Sequence, residues 1–571
     1  MPEAPLAGAP ALPAPVHARA ALDRRLLVAG LWIAASVLTL GLVLPLLTLL
    51  VRAFEDALGH FVGLVNFVAY ATAPALLAAA WNSLWTAALT TVIVVPLAFG
   101  YAYALTRSCM PMKGLFRAIM LIPVLAPSLL PALALIYLFG NQGMLRGLLM
   151  GESIYGPIGI VFAQVFYCFP HAALILAVSL SMADARLYEA AEVLRAGRAR
   201  IFGTVTLPGA RYGLVSAAVV VFTLVVTDFG IPKVIGGQFP VLATDVYKQV
   251  VGLQDFNMGA VVGIVLLLPA VAAFLLDRWA QGKRAATFSG RAVPYVPKPR
   301  AGRDGPLLAL CIGIALVLLG MLGVAIWGSL IRFWPYKLSL TLDNYDFARF
   351  DAAGWESLLV SVRMAGLAAV IGAVLVFCTA YVLERGARTG GTLPGLVRFA
   401  ATVPLAVPGL VLGLAFILFF NHPANPLGIL YGTIWILVLN SVIHFYTVAH
   451  LTAVTAIRQL DPEFESVGAS LKVPVWITFG RVTVPICLPA ILDIAVYIFV
   501  NAMTTVSAVI FLYGPDTKPA SVAVVHMDEA GQASAAAAMA VTILAVTTGV
   551  KLLQVATNGL VDRATQRWRR R

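Results

Sequence analysis

The chain has 571 residues, 61% hydrophobic and 11% charged, with a net charge of +13 and a mean hydropathy of +0.92. A soluble globular protein is about 45–50% apolar and about 25% charged, so this composition cannot supply the water-facing surface of several folded domains. The bilayer is therefore the solvent, and the basic excess raises the question of where the 39 Lys and Arg residues lie, with nucleic acid an unnecessary partner.

Residues 1–25 are rich in Ala and Pro without a steady period, and a disordered tail is expected there. The apolar run that follows exceeds the roughly 7–15 residues of a signal-peptide core and lacks a small-residue cleavage pattern, so it is expected to stay as the first span. A helix crossing a hydrocarbon layer of about 30 Å needs about 20 apolar residues. Twelve such runs occur, near 26–51, 83–106, 115–139, 157–181, 209–230, 257–277, 305–331, 357–383, 396–420, 428–456, 486–509 and 533–556. No stretch alternates as a barrel strand would, so the expected fold is all-α and integral to the membrane. With the N-terminus inside, cytoplasmic segments hold 29 Lys and Arg and outer loops hold 8, while Arg363 and Lys551 lie within spans. Asp343, Asp346, Asp351, Asp528 and Glu529 fall outside. That bias predicts cytoplasmic termini at both ends of an inner-membrane chain. The five Cys (109, 168, 311, 378 and 487) have no metal or redox spacing and are expected to act as small buried hydrophobes.

The polar stretch between the fourth and fifth spans recurs. Asp184-Ala-Arg-Leu-Tyr-Glu-Ala-Ala-Glu-Val-Leu-Arg195, with Phe202-Gly203 and Val205-Thr206-Leu207-Pro208, aligns with Asp461-Pro-Glu-Phe-Glu-Ser-Val-Gly-Ala-Ser-Leu-Lys472, Phe479-Gly480 and Val482-Thr483-Val484-Pro485, always 277 residues on. Ile122-Pro-Val-Leu-Ala-Pro127 has a similar partner in Val403-Pro-Leu-Ala-Val-Pro408. Both copies have the same orientation, which predicts a parallel duplication: a half over 26–278, a basic cytoplasmic linker over 279–304 with Pro294, Pro297 and Pro299, and a half over 305–571. Each polar copy predicts a short amphipathic helix outside the membrane. Asp184 and Asp461 suit its N-cap, and Leu187, Ala190 or Ala191 and Leu194 match Phe464, Val467 and Leu471 in its apolar stripe. A helix that shows such a stripe to the cytosol at equivalent places in two repeats suits docking.

This segment resembles the cytoplasmic coupling motif of ABC importer permeases, Glu-Ala-Ala, three residues, then Gly, with a downstream Leu-Pro. Glu189-Ala190-Ala191 and Leu207-Pro208 match, whereas Arg195 stands at the glycine and Gly197 follows it. In the second copy Ser466-Val467-Gly468 stands at Glu-Ala-Ala, Lys472 at the glycine and Val484-Pro485 at Leu-Pro. Arg or Lys in place of glycine implies either an altered helix turn or a charge contact with the partner. The whole chain looks like two fused six-helix permease halves of the type I, MetI-like importer fold, of the ferric-iron-type subfamily. The resemblance implies that these residues, with Phe464 and Pro485, insert into grooves on two copies of a cytoplasmic ATPase subunit, which use ATP and Mg. It also implies a periplasmic or lipid-anchored solute-binding protein and no cofactor on this chain. More narrowly, Thr227-Asp-Phe-Gly-Ile-Pro-Lys-Val-Ile-Gly-Gly-Gln-Phe239, Ala243-Thr-Asp-Val-Tyr-Lys-Gln249, Ser507-Ala-Val-Ile-Phe-Leu-Tyr-Gly-Pro-Asp-Thr-Lys518 and Met527-Asp-Glu-Ala-Gly531 look like 2-aminoethylphosphonate permeases. Ferric iron, other phosphonates and small organic acids or amines are the alternative cargoes within the family.

A P-loop needs Gly, four residues, then Gly-Lys-Ser/Thr; beside Gly282-Lys283, Asp277 takes the first glycine position and Arg284 the Ser/Thr position, so this chain does not bind ATP by that means. Intramembrane ionisable groups are few. Asp493 pairs in the repeat with Ser216, and a structural hydrogen bond inside the bundle is expected for it; His171, His444 and His450 are expected to be interhelical hydrogen bonders, and Arg363 to snorkel. The pathway candidates are Thr227 and Asp228 with their repeat partners Thr504 and Thr505, together with Lys233 and Lys518, which suit a zwitterion bearing an amine and a phosphonate. No catalytic or metal-binding set is expected. The outer loops 231–256, 332–356 and 510–532 are the candidate docking surfaces for a binding protein. A twelve-span, ion-coupled secondary carrier explains the span number equally well, but leaves the duplicated helices unexplained, and Thr106 to Phe116 lacks the Gly-x-x-x-Asp-Arg pattern of that class.

Overall fold

A computed structural model describes residues 15–287, 293, 295–386, 392–461, 463–471 and 473–565. It is overwhelmingly helical, with one antiparallel hairpin among the described residues, Ile331–Phe333 with Lys337–Leu340, directly after the helix Ala301–Leu330. Nine helices among the described residues are long and apolar enough to span a membrane, and three bent helix pairs bring the number to twelve, matching the twelve runs of the sequence.

The bends follow from proline. Lys113–Leu125 and Leu129–Phe139 meet at 98°, and Leu393–Ala406 and Gly409–Phe420 at 115°. The residue before a proline is pushed out of the helical region by the ring. Ala126, before Pro127, has φ −94° and ψ 146°, and Val407, before Pro408, has φ −99° and ψ 115°. The third and ninth spans are thus broken, where the sequence suggested continuous helices. Their second pieces, Leu129–Phe139 and Gly409–Phe420, are apolar on every side and buried along most of their length, as that composition requires. A third break, of 56°, lies between Ile434–His444 and Tyr446–Arg458, whereas its counterpart Pro157–Ser181 is one helix.

The duplication is legible in backbone detail. Five-residue turns of π type, each wider by one residue than an α-helical turn, occupy Phe202–Thr206 and Phe479–Thr483, 277 residues apart, each leading into a span, Leu207–Thr227 and Val484–Thr504. Pro208 and Pro485 explain them. Neither has an N–H to donate and each ring crowds the carbonyl four residues back, so the turn widens, and the N–H groups of Leu207 and Val484 reach back to Phe202 and Phe479. Further on, Ser83 Oγ accepts from the Leu242 N–H at 2.8 Å, and Ser361 Oγ accepts from the Ala520 N–H at 2.7 Å. The first span of each half packs on the other half: Pro15–Leu38 lies against Glu356–Gly386, and Ala301–Leu330 against Pro74–Arg107 and Leu129–Phe139.

Two boundaries need correction. Helix begins at Pro15, so residues 15–25 are not irregular; Pro at the first helical turn followed by Ala, Arg and Leu favours helix there, and residues 1–14 lie outside the described set. The sixth span continues to Thr287, and the seventh starts at Ala301, so the described part of the linker is Val293 with 295–300.

Candidate docking helices and outer charge cluster

Ala185–Val193 forms the first short amphipathic helix, with Asp184 as N-cap: its carboxylate accepts from the Arg186 N–H at 3.1 Å. Ala185 and Tyr188 are buried, and the Tyr188 hydroxyl donates to Thr206 Oγ1 at 3.1 Å, fixing the helix against the widened turn. The opposite face is bare. Leu187 is 58% and Leu194 80% exposed, flanked by Val193 and by exposed Glu189 and Ala190, while Ala191 is half-buried. The second helix, Glu463–Ser470, repeats this display, with Phe464 40% and Leu471 71% exposed beside exposed Val467. An apolar stripe of this kind held out of the bundle twice, in one register, suits insertion into a partner.

Each helix stops in the same way. The Ala196 N–H reaches the Ala191 carbonyl and the Arg195 N–H reaches the Glu192 carbonyl, both at 2.9 Å, which is a Schellman turn with Arg195 at its left-handed position, φ +53°. In the second helix the Val473 N–H reaches the Gly468 carbonyl at 2.9 Å, the equivalent bond. The glycine of the motif therefore stands where positive φ is required. Arg195 keeps that turn rather than altering it. A left-handed residue with a side chain costs on the order of 1 kcal/mol more than glycine, so the exposed guanidinium is retained at a cost. Lys472 lies outside the described residues, and of Ser466 only its place in the helix is described. Gly197 is the exposed N-cap of Arg198–Ile201, and Leu207 with Pro208, and Val484 with Pro485, open the spans that follow the widened turns.

Tyr295, in the linker, was not singled out by sequence reasoning. Its ring lies 4.6 Å from that of Tyr188, and the buried Arg107 guanidinium sits over both, 4.9 Å from Tyr188 and 4.5 Å from Tyr295.

At the other end of the fifth and eleventh spans, the helices stop at repeat-equivalent residues in extended conformation, Asp228 (φ −72°, ψ 130°) and Thr505 (φ −70°, ψ 135°). Thr227 and Thr504 spend their hydroxyls within their own helices, on the carbonyls of Thr223 and Val500. Asp228 accepts from the Ile231 N–H at 3.1 Å, and the Thr505 carbonyl accepts from Ser521 Oγ. Lys233 pairs with Glu529 of the other half at 2.5 Å and lies 4.6 Å over the Tyr247 ring, which stacks on Phe511. Lys518 pairs with the buried Asp351 at 2.7 Å. The two lysines thus carry carboxylate partners of their own, and an anion arriving there would exchange with Glu529 or Asp351. His526 and Asp528 complete the cluster, in Ala520–Glu529, a helix outside the spans. Burial, reinforced by Glu529 and opposed by Lys233, pushes Asp528 up to about 6, while burial and Lys518 push His526 down.

Other expected residues find different surroundings. His171 faces the Tyr167 carbonyl of its own helix, and the buried Nδ1 atoms of half-buried His444 and of buried His450 have no hydrogen-bond partner among the described residues, so neither is the satisfied interhelical bonder expected. Arg363 pairs with Glu356 at 2.8 Å. Cys168, Cys311 and Cys487 are buried, whereas Cys109 is exposed and donates to the Pro297 carbonyl.

The family model described as binding-protein-dependent transport system inner membrane component matches residues 95–284 and 377–563, once in each half. A Haemophilus influenzae protein named for a ferric transport system permease is 30% identical over 450 residues, 74% of this chain and 69% of its own. The ferric transport system permease protein of Actinobacillus pleuropneumoniae is 28% identical over 468 residues, 79% of this chain and 67% of its own. The molybdenum transport system permease protein of Azotobacter vinelandii is 29% identical over 208 residues, which are 35% of this chain and 92% of its own, the size of one half.

Proposed function

This chain belongs to the family of binding-protein-dependent transport system inner membrane components, and from that premise we propose that it forms both halves of an importer's pathway and is driven through its two amphipathic helices. It is a multi-pass inner-membrane permease of an ABC importer, served by an ATPase and a periplasmic binding protein. That membership sets the secondary-carrier reading aside.

Two copies of the ATPase subunit take one docking helix each, from a cytoplasm that also holds both termini. ATP binding draws the subunits together and hydrolysis lets them part, and the helices carry that motion to the spans. The widened turns at Phe202–Thr206 and Phe479–Thr483 link each helix to its span, and Tyr188 ties the first helix to its turn. The observation that carries this reading is the pair of bare apolar stripes in one repeat register. The charge-paired outer loops are the face a loaded binding protein would meet.

For the cargo, we infer a phosphonate, 2-aminoethylphosphonate in particular, on the likeness of 227–239, 243–249 and 507–518 with 527–531 to such permeases. The mixed-sign mouth of Lys233, Lys518, Asp351, Asp528 and Glu529 is compatible with a zwitterion. Ferric iron is the second reading, favoured by the names of two relatives. Ligand titration of the partner binding protein separates them: tight 2-aminoethylphosphonate binding supports the first, and tight ferric ion binding with none for the phosphonate replaces it with the second.

A further inference from the structure

The linker holds the first docking helix from outside. The Ala185 N–H, at the start of that helix, donates to the Val293 carbonyl at 2.9 Å, and the Val293 N–H points back to Asp184 Oδ1 at 3.4 Å. Two residues on, Tyr295 covers Arg107, whose guanidinium lies against both the Tyr188 and Tyr295 rings, themselves 4.6 Å apart, and donates to the Leu180 carbonyl at 2.7 Å. Arg107 closes the second span and is only 3% exposed. A guanidinium withdrawn from water and set against two aromatic rings gains more than an exposed one does. Further along, Cys109 Sγ reaches the Pro297 carbonyl at 3.1 Å, and the Arg303 guanidinium donates to the Lys298 carbonyl at 2.7 Å. Lys298 lies 3.8 Å from Glu192, an exposed pair of little energetic consequence.

Chain continuity gives these contacts their meaning. Residues 295–300 run directly into Ala301–Leu330, the first span of the second half, which packs on the first half. The segment is short and proline-punctuated, with Pro297 and Pro299 restricting its backbone, so it has little slack.

We propose that Val293 and residues 295–300 act as a strap by which the second half grips the docking helix of the first, so that force applied by the ATPase subunit beneath the first half moves the seventh span directly. Tyr295 and Arg107 are its positioning residues. This rests on the docking role proposed above. The strap makes the two docking sites mechanically unequal even where the ATPase subunits are identical, because the second helix carries Glu465 at the position of Tyr188.

Two measurements on the full chain in lipid nanodiscs test it. In hydrogen exchange without any partner, Tyr295→Ala is expected to speed exchange across residues 185–196 on the order of tenfold, whereas Tyr295→Phe, which keeps the ring face, leaves it unchanged. With the ATPase subunits bound, a fluorophore on Cys substituted for exposed Gly302 is expected to respond to ATP in the parent and in Tyr295→Phe, and to lose that response in Tyr295→Ala while the subunits stay bound. Unchanged exchange together with an unchanged ATP response in Tyr295→Ala overturns the strap. Failure of the parent chain to bind ATPase subunits overturns the docking role instead, and the exchange measurement, which needs no partner, still decides whether the strap holds the helix.

Discussion

Ser216 donates a hydrogen bond of 2.6 Å to Asp277, joining the fifth and sixth spans, and 277 residues on the same two positions are occupied with their roles exchanged: Gln554 donates to Asp493. The carboxylate has moved from one helix of the pair to the other while the inter-helix bond persists. Lys551 donates to Gln554 Oε1 at 2.7 Å, which brings a cation to the second version. Asp493 alone, compared with Ser216, suggests no paired acidic site; the pair appears once Asp277 is set beside Gln554.

Each of these bonds joins one helix of its half to the next. Interhelical hydrogen bonds in membrane proteins average about 0.6 kcal/mol and reach about 1.7 kcal/mol. A double-mutant cycle of Ser216→Ala and Asp277→Asn, read by reversible unfolding in detergent, is expected to give a coupling energy of about 1 kcal/mol with transport retained. Loss of transport in a folded Ser216→Ala chain would instead place the pair in the pathway.

Arg195 occupies the left-handed position of a Schellman turn. Arg195→Gly is therefore expected to keep the turn and to stabilise the helix end by about 1 kcal/mol, read as slower amide exchange at Arg195 and Ala196. Because the backbone does not need the arginine, its charge is the remaining reason for it. Affinity for the ATPase subunit is expected to fall several-fold in Arg195→Gly at low salt and to differ little at high salt, measured by titration at the two ionic strengths.

Lys518 and Asp351 are both largely buried; Lys518 pairs with Asp351 Oδ1, and Oδ2 has no hydrogen-bond partner among the described residues. Removing one member of such a pair strands the other charge, at a cost of about 3–5 kcal/mol, whereas replacing both is far milder. Lys518→Met is expected to lower the thermal midpoint sharply and Lys518→Met with Asp351→Leu to recover most of it. If the single variant keeps its stability and loses only cargo uptake, Lys518 binds the cargo instead.

Much of this chain is readable without coordinates because its signals are long or repeated. Twelve apolar runs and a constant offset specify the spans and the duplication. The breaks at Ala126 and Val407 were in principle available from the proline that follows each, but apolar runs continue through them and hide the bend. The turn at Arg195 was masked because the residue that announces positive φ, glycine, is absent. Tyr295 lay in a linker whose composition carries no period, and only its packing on Arg107 reveals it. Lys233 and Lys518 were recognisable as cations, but their partners Glu529 and Asp351 come from distant segments.

Asp528 is raised from an ordinary 3.8 to about 6, so the folded state holds its proton more tightly than the unfolded chain. Stability from this group is present in full below pH 3.8 and is lost as pH rises through about 6. Asp528→Asn removes that loss. The variant is expected to exceed the parent by about 1–2 kcal/mol at pH 8, allowing for partial exposure, and to match it near pH 4, read as thermal midpoints across that range.

Docking through the two bare helices is tested most directly by co-purifying the ATPase subunit with a chain carrying Glu189→Arg and Phe464→Asp, one charge reversal and one polar disruption on the two exposed stripes. Complex formation and ATP-driven uptake are both expected to be lost while the chain remains folded in the membrane. An undiminished complex that still drives uptake would contradict the assignment of these helices as the points where the ATPase acts.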